Sequence, residues 1–382
     1  LFSDAQGKNS LSQQDIVIPA TGHSYRQVTT PPTCTTAGSD EFTCTSCGDF
    51  YSTPIAATGH TYVNGVCTSC GAGNATVDSG IVINHNLNLA SDISVNLLVL
   101  RSLLDGFDMD TVFVESTVET ADGVTTQKIY PVENGYYYYF TLDGLTAIQM
   151  NDKITSVLYG TKNGQTYCSP VDEYSIATYA YSQLNKTGID VKLQTLCADL
   201  LRYGTKAQIF KSYRTDALAD SAMTETHRAF LSDIEAVTFG NTNTVLNDLP
   251  NAPITWAGKS LNLESKVALK FVFNMGAYTG KLSDLCLRIS YTDAYGNQKT
   301  ETVTGAETYG QGTGAYVFTV DSLLAAELRT VVSVQIYAGN TPVSATLQYS
   351  PDTYGNNKTG DLLVVCQALV AYSDAALAYF KG

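Results

Sequence analysis

The residues best placed to do chemistry in this chain are two cysteine pairs, Cys44-Thr-Ser-Cys47-Gly48 and Cys67-Thr-Ser-Cys70-Gly71. Each has the shape of a metal-binding knuckle: a tight turn aims two thiolates at one ion, and glycine supplies the unusual backbone angle. Nineteen residues separate the pairs, within the spacing of a zinc ribbon. Cys44, Cys47, Cys67 and Cys70 are therefore expected to hold one structural zinc ion. His23, Cys34 and His60 lie close by and raise the number of candidate ligands to seven, more than one tetrahedral site accepts. A set of Cys34, Cys44, Cys47 and His60 is the alternative, as are two Cys-x-x-Cys disulfides in an oxidising compartment. Two knuckles on one ion would fill every position and leave none for a reactive water, so this metal reads as structural, not catalytic.

Other chemical signals are thin. Asp105, Asp108 and Asp110 make an acidic turn whose carboxylates could suit calcium, although the spacing is not that of an EF-hand and a solvated turn explains it as well. His85 and His227 are isolated. No nucleophile elbow, phosphate-binding glycine loop, His-Glu-x-x-His or dinucleotide fingerprint is present. Gly310-Gln-Gly-Thr-Gly314 precedes a strand-like run and reads as a hairpin loop.

The elements that must position these residues follow from composition and repetition. Of 382 residues, 44% are hydrophobic and 15% charged, which argues for folded domains, two or three at this length. With 22 basic and 36 acidic residues the formal charge is −14, so nucleic acid and anionic membrane surfaces are poor partners. No apolar run is read as a membrane span. Leu1 is not an initiator methionine, so a leader is expected to have been removed. Residues 1–18 read as a polar linker. Over residues 19–75 a short repeat follows: Ala20-Thr-Gly-His23-Ser-Tyr25 recurs as Ala57-Thr-Gly-His60-Thr-Tyr62, each ahead of a cysteine pair. So short a segment with few large apolar residues needs a staple to fold.

The pattern Gly-His-x-Tyr, Pro-Thr-Cys-Thr (32–35), Cys-x-x-Cys-Gly and Gly-His-x-Tyr again resembles repeats in multidomain surface proteins of gut Firmicutes (Clostridia). The resemblance covers residues 20–71. It implies an extracellular or cell-wall-attached location, and a zinc-ribbon-like segment without catalysis ahead of other extracellular modules.

Beyond it, one long motif is used twice. Leu193–Tyr213 and Leu362–Phe380 share an apolar face at helical spacing, with Cys197 matching Cys366 and Tyr203 matching Tyr372. Ahead of each, short β-rich runs alternate with Gly, Asp and Asn turns. Leu87 and Asp110 match Leu261 and Asp284, and Phe140 and Tyr159 match Phe318 and Tyr337. The expected architecture is mainly β with helices (α+β): two tandem β-sandwich modules, 78–214 and 255–382, each closed by a helix and joined by a connector, 215–254, with a helix over Thr226–Val237. Cys197 and Cys366 are expected to be buried, inert thiols, with disulfides Cys168–Cys197 and Cys286–Cys366 left open. In the strand over Tyr136–Phe140, alternation puts Tyr138 and Phe140 on the core face and Tyr137 and Tyr139 on the other. The second copy is small at the latter two places. Tyr137 and Tyr139 therefore either pack on a neighbouring segment or form an aromatic platform. Three functions are compatible. The first is a non-catalytic surface module: an adhesin, a binder of host glycoprotein, immunoglobulin or mucin, or a structural segment. The others are a glycan-binding module and a hydrolase with an unrecognised site.

Overall fold

A computed structural model describes residues 22–63, 66–70, 76–89, 93–163, 165–263 and 267–381; the linker expected over 1–18 lies outside them. The chain divides into two compact units, Leu1–Asn74 and Ala75–Gly382. In the first, β1 (Tyr25–Thr30), β2 (Gly38–Cys44) and β3 (Phe50–Ile55) form an antiparallel sheet, and β4 (Tyr62–Val63) pairs with β5 (Val66–Cys67). Gly38 is required where the β1–β2 loop closes: a Cβ there would stand 2.3 Å from the Thr30 carbonyl oxygen.

The second unit opens with β6 (Val77–Asp78), β7 (Asn84–Asn88), β8 (Ser94–Leu100), β9 (Asp108–Thr120) and β10 (Gly123–Ile129). It continues with β11 (Val132–Asn134), β12 (Tyr137–Leu142), β13 (Lys153–Lys162), β14 (Gln165–Cys168) and β15 (Asp172–Tyr174). Helices α1 (Ile176–Leu184), α2 (Val191–Lys211) and α3 (Glu225–Arg228) follow. One sheet runs β10-β9-β13-β14-β6, with β15 also on β13, and a second runs β11-β12-β8-β7. Alternation builds the core between them: Val112, Val114 and Val118 of β9 are buried with Val95, Leu97 and Val99 of β8 and with Phe140 and Leu142 of β12.

The rest comprises β16 (Asn243–Val245), β17 (Thr255–Asn262), β18 (Ala268–Asn274), β19 (Leu285–Thr292), β20 (Gln298–Val303) and β21 (Glu307–Tyr309). After it come β22 (Ala315–Val320), β23 (Val332–Ala338), β24 (Thr341–Pro342), β25 (Leu347–Tyr349) and α4 (Gly360–Phe380). Its sheets run β20-β19-β23-β25-β16, with β24 on β23, and β21-β22-β18-β17. The order of pairing thus recurs: β9, β10 and β13 in the first half stand where β19, β20 and β23 stand in the second.

The two halves share one hydrophobic core, in which α2 packs along α4. Tyr203 and Tyr372 stack with ring centroids 6.1 Å apart and planes 12° from parallel. By length and composition α4 could cross a membrane, a property the sequence reading passed over; in the structure Val365, Leu369, Tyr372 and Ala376 are buried in that core. In α2, Gly204 marks a close approach. A Cβ at this helical position would meet Met150 Cγ at 2.5 Å and the Ala147 carbonyl oxygen at 3.1 Å. Gly204→Ala should therefore destabilise the second unit by about 1–3 kcal/mol, although alanine is the better helix former by about 1 kcal/mol. Urea unfolding measures it, and a gain in stability would refute the close packing.

The connector departs from expectation. Its helix ends at Arg228 instead of reaching Val237. Backbone groups that would continue it are bonded elsewhere. The Ser232 N–H donates to Asp199, the Ser232 carbonyl accepts from Arg202, and the Asp233 carboxylate accepts the N–H groups of Glu235 and Ala236.

Candidate metal centre

In the first unit, register puts the ligands in place. Tyr25 on β1 faces Cys44 at the end of β2, so His23, two residues before Tyr25, reaches the first knuckle. Its Nδ1 lies 3.3 Å from Cys47 Sγ. The Gly48 N–H donates to the Cys44 carbonyl at 3.0 Å, and Gly48 has φ +76°. Strand pairing acts in the same way at the second knuckle. Tyr62 faces Cys67, and His60 Nδ1 lies 3.5 Å from Cys70 Sγ. Even the tie between arms repeats: Thr45 N–H donates to the Ser24 carbonyl and Thr68 N–H to the Thr61 carbonyl, both at 2.9 Å.

Cys34 breaks the symmetry. It sits in the β1–β2 loop, where the Thr36 N–H donates to Thr33 Oγ1 at 2.9 Å and Thr58 N–H donates to the Thr33 carbonyl at 3.0 Å. That clasp holds the loop against the approach to His60, and Cys34 Sγ comes 3.5 Å from Cys67 Sγ. Two ligand groups result. Cys34, His60, Cys67 and Cys70 form one; His23, Cys44 and Cys47 form the other; in each, the donor atoms lie within 4.8 Å of one another. Either group could hold a metal ion.

This arrangement corrects the single-ion expectation. Cys44 and Cys47 do not share a group with Cys67 and Cys70, and the alternative set of Cys34, Cys44, Cys47 and His60 is divided as well. Each knuckle recruits the histidine that precedes it because the strand pairing leaves that histidine beside it. The sequence clue was the repeat itself, in which a histidine stands ahead of each cysteine pair; pooling the thiolates ignored it. Cys34, His60, Cys67 and Cys70 supply the four donors of a closed tetrahedral site, and His23, Cys44 and Cys47 supply three donors among the described residues.

The electrostatics favour thiolate at one cysteine of each knuckle, Cys44 and Cys67. Backbone N–H groups of Ser46 and Cys47, with His23, lower the Cys44 pKa to about 6. The Cys70 N–H, His60 and the Ser69 N–H lower that of Cys67 to about 5. Burial, and then the neighbouring thiols Cys67 and Cys70, push Cys34 up to about 11. Tyr25 donates to Asp49 at 2.5 Å, which raises the tyrosine's pKa to about 12.

The remaining candidates are dispersed. Asp105, Asp108 and Asp110 do not gather into a ligand group: the Asp105 carbonyl accepts from Lys162 Nζ at 2.6 Å, while Asp108 and Asp110 lie on extended β9. All nine cysteines are free, including Cys168, Cys197, Cys286 and Cys366. Burial raises the thiol pKa of Cys197 to about 12 and of Cys366 to about 11, so neither is a ready nucleophile. His227 caps α3 and bonds Asn185 at 3.1 Å. His85 lies 3.4 Å from Asp172 and packs on the Tyr174 ring, centroids 3.8 Å apart. Tyr137 and Tyr139 are half-buried on the outer face of β12, and Phe140 is buried in the core. No protein-family model and no curated protein matches the chain.

Proposed function

We propose that this chain is a region of an extracellular surface protein, in which a zinc-held segment precedes a duplicated, non-catalytic β-rich pair that serves as an adhesin or a binder of host glycoprotein. One observation carries the zinc reading. In the described part of the first unit, the buried apolar residues are Cys34, Cys44 and Cys67 and no others. A segment whose interior is its own thiols has little hydrophobic core to fold on, and a metal supplies what is missing. Zinc suits mixed Cys and His donors. The recurring strand order supports duplication, with residues 78–214 and 255–382 as the two copies.

The test is native mass spectrometry of reduced chain, followed by binding to immobilised mucin and immunoglobulin with assay of the products. Zinc retained by the chain and binding without turnover are the expected results. Disulfides in place of metal would overturn the zinc reading, and turnover would overturn the non-catalytic one.

A further inference from the structure

The outer face of the sheet β11-β12-β8-β7 is not flat. Helix α1, the start of α2 and the end of α4 rise beside it and leave a cleft of about 330 Å³, at the lower end of the size of small-molecule sites. Its floor is polar. Asn96 Nδ2 donates to Asn86 Oδ1 at 3.0 Å, and Thr141 Oγ1 donates to Asn96 Oδ1 at 2.9 Å. This ladder spans three adjacent strands, pairing Asn86 with Asn96 and Asn96 with Thr141. It fixes both amides and leaves the Asn86 NH2 pointing no bond at any described residue. The walls are aromatic: Tyr139 from β12, Tyr179 from α1, and Tyr379 and Phe380 from α4. Tyr379 and Phe380 meet edge to face, centroids 5.0 Å apart. Among the described residues, no charged side chain lines the cleft.

We infer that this cleft binds a neutral saccharide, with Tyr139 and the rings of α1 and α4 stacking on sugar faces and Asn86 donating to hydroxyls. The inference names a ligand for the binding module proposed above and rests on that reading. The chemistry selects the class. An apolar ligand would bury the Asn86 amide without a partner, which is unfavourable. An anionic one finds no cation among the described lining residues, on a chain of formal charge −14. A polyhydroxylated ring with an apolar face satisfies both walls and floor.

The second half shows that the fold does not require the cleft. On β22, β18 and β17, the places of Tyr139, Asn96 and Asn86 in the sheet are taken by Val317, Lys270 and Ser260. There Val317 joins Val272 and Ala315 in a small closed apolar cluster. The aromatic and amide residues are thus an addition to one half.

The experiment is calorimetric titration of the full zinc-loaded chain with maltotriose, cellotriose, xylotriose and N-acetyllactosamine, and with trigalacturonate as the anionic comparison. At least one neutral sugar should bind in the micromolar to millimolar range, ahead of trigalacturonate. Tyr139→Ala and Asn86→Ala should each weaken it about tenfold, as loss of one well-made contact would. Tyr139→Phe, which keeps the ring, should weaken it less. Phe113→Ala, on the other sheet, should leave affinity unchanged. Melting curves identify any variant that fails to fold. Absence of neutral-sugar binding, or binding insensitive to both Tyr139→Ala and Asn86→Ala, overturns the assignment. Binding of deglycosylated host protein alone would overturn the cleft and leave the surface-module reading standing. Cleavage of a bound sugar would overturn the non-catalytic reading and leave the cleft.

Discussion

Stripping metal from the reduced chain should unfold residues 22–70 and leave the second unit folded. The first unit's sheet exposes its large side chains, with Phe50 57% and Val28 48% accessible, so few apolar contacts remain once the ions are gone. Structural zinc contributes on the order of 10–16 kcal/mol in small zinc-held folds, far more than such a sheet supplies alone. Hydrogen exchange after treatment with a chelator should show protection lost across β1–β3 and kept in α2 and α4. The two ligand groups should also differ. Cys67→Ser removes a donor from the four-ligand group and should cost more zinc affinity and more protection than Cys44→Ser in the three-ligand group. Cys34→Ser should act like Cys67→Ser, although Cys34 lies between His23 and Cys44 in sequence. Retained protection in metal-free chain would refute the dependence, and equal losses in the three variants would refute the division of ligands.

The interlocking of the two groups shows what the sequence could and could not convey. Residue types and the repeat were legible: His23 and His60 each precede a knuckle, and seven ligands are too many for one ion. What assigns them is pairing register, Tyr25 with Cys44 and Tyr62 with Cys67, and a loop clasp through Thr33 and Thr58. Those are contacts between residues distant in sequence, and local spacing does not encode them. Strands were legible where one face is buried, as in β9 and β12, because alternation records which side meets the core. The reach of the common core was not. The sequence matched Tyr203 to Tyr372 by their places in two similar helical runs, while the fact that the two rings stack on each other depends on α2 packing along α4. The cleft was half legible. Tyr139 was singled out because the second copy is small there, but Asn86, Tyr179 and Tyr379 join it only through tertiary structure. The overlong helix after Thr226 failed for a similar reason: its backbone is captured by a pair of charges on α2.

That pair carries the second large expected effect. Asp199 is fully buried, and its Oδ1 lies 2.5 Å from Arg202 one turn along α2. Its oxygens also accept the N–H and hydroxyl of Ser232, at 3.2 and 2.6 Å, while Arg202 donates to the Ser232 carbonyl at 2.5 Å. Two charges thus bind one residue of the connector through its main chain and side chain. Burial raises the pKa of Asp199 and lowers that of Arg202, so each charge offsets the other's loss of water, while the guanidinium keeps its proton with or without a partner. Asp199→Ala should therefore destabilise the second unit by about 3–5 kcal/mol, because Arg202 is left charged and unpaired in the interior. Adding Arg202→Ala should recover part of that loss. The matching positions of α4 are Ala368 and Ala371, both buried, and that helix packs without any charge there. The part not recovered measures the anchoring of the connector through Ser232. Urea unfolding of the two single variants and the double variant gives all three quantities in one cycle. If Asp199→Ala costs less than about 1 kcal/mol, the surface-pair range, the charges are not holding the connector. If the double variant is no better than Asp199→Ala, the loss lies in the Ser232 contacts and not in a stranded arginine.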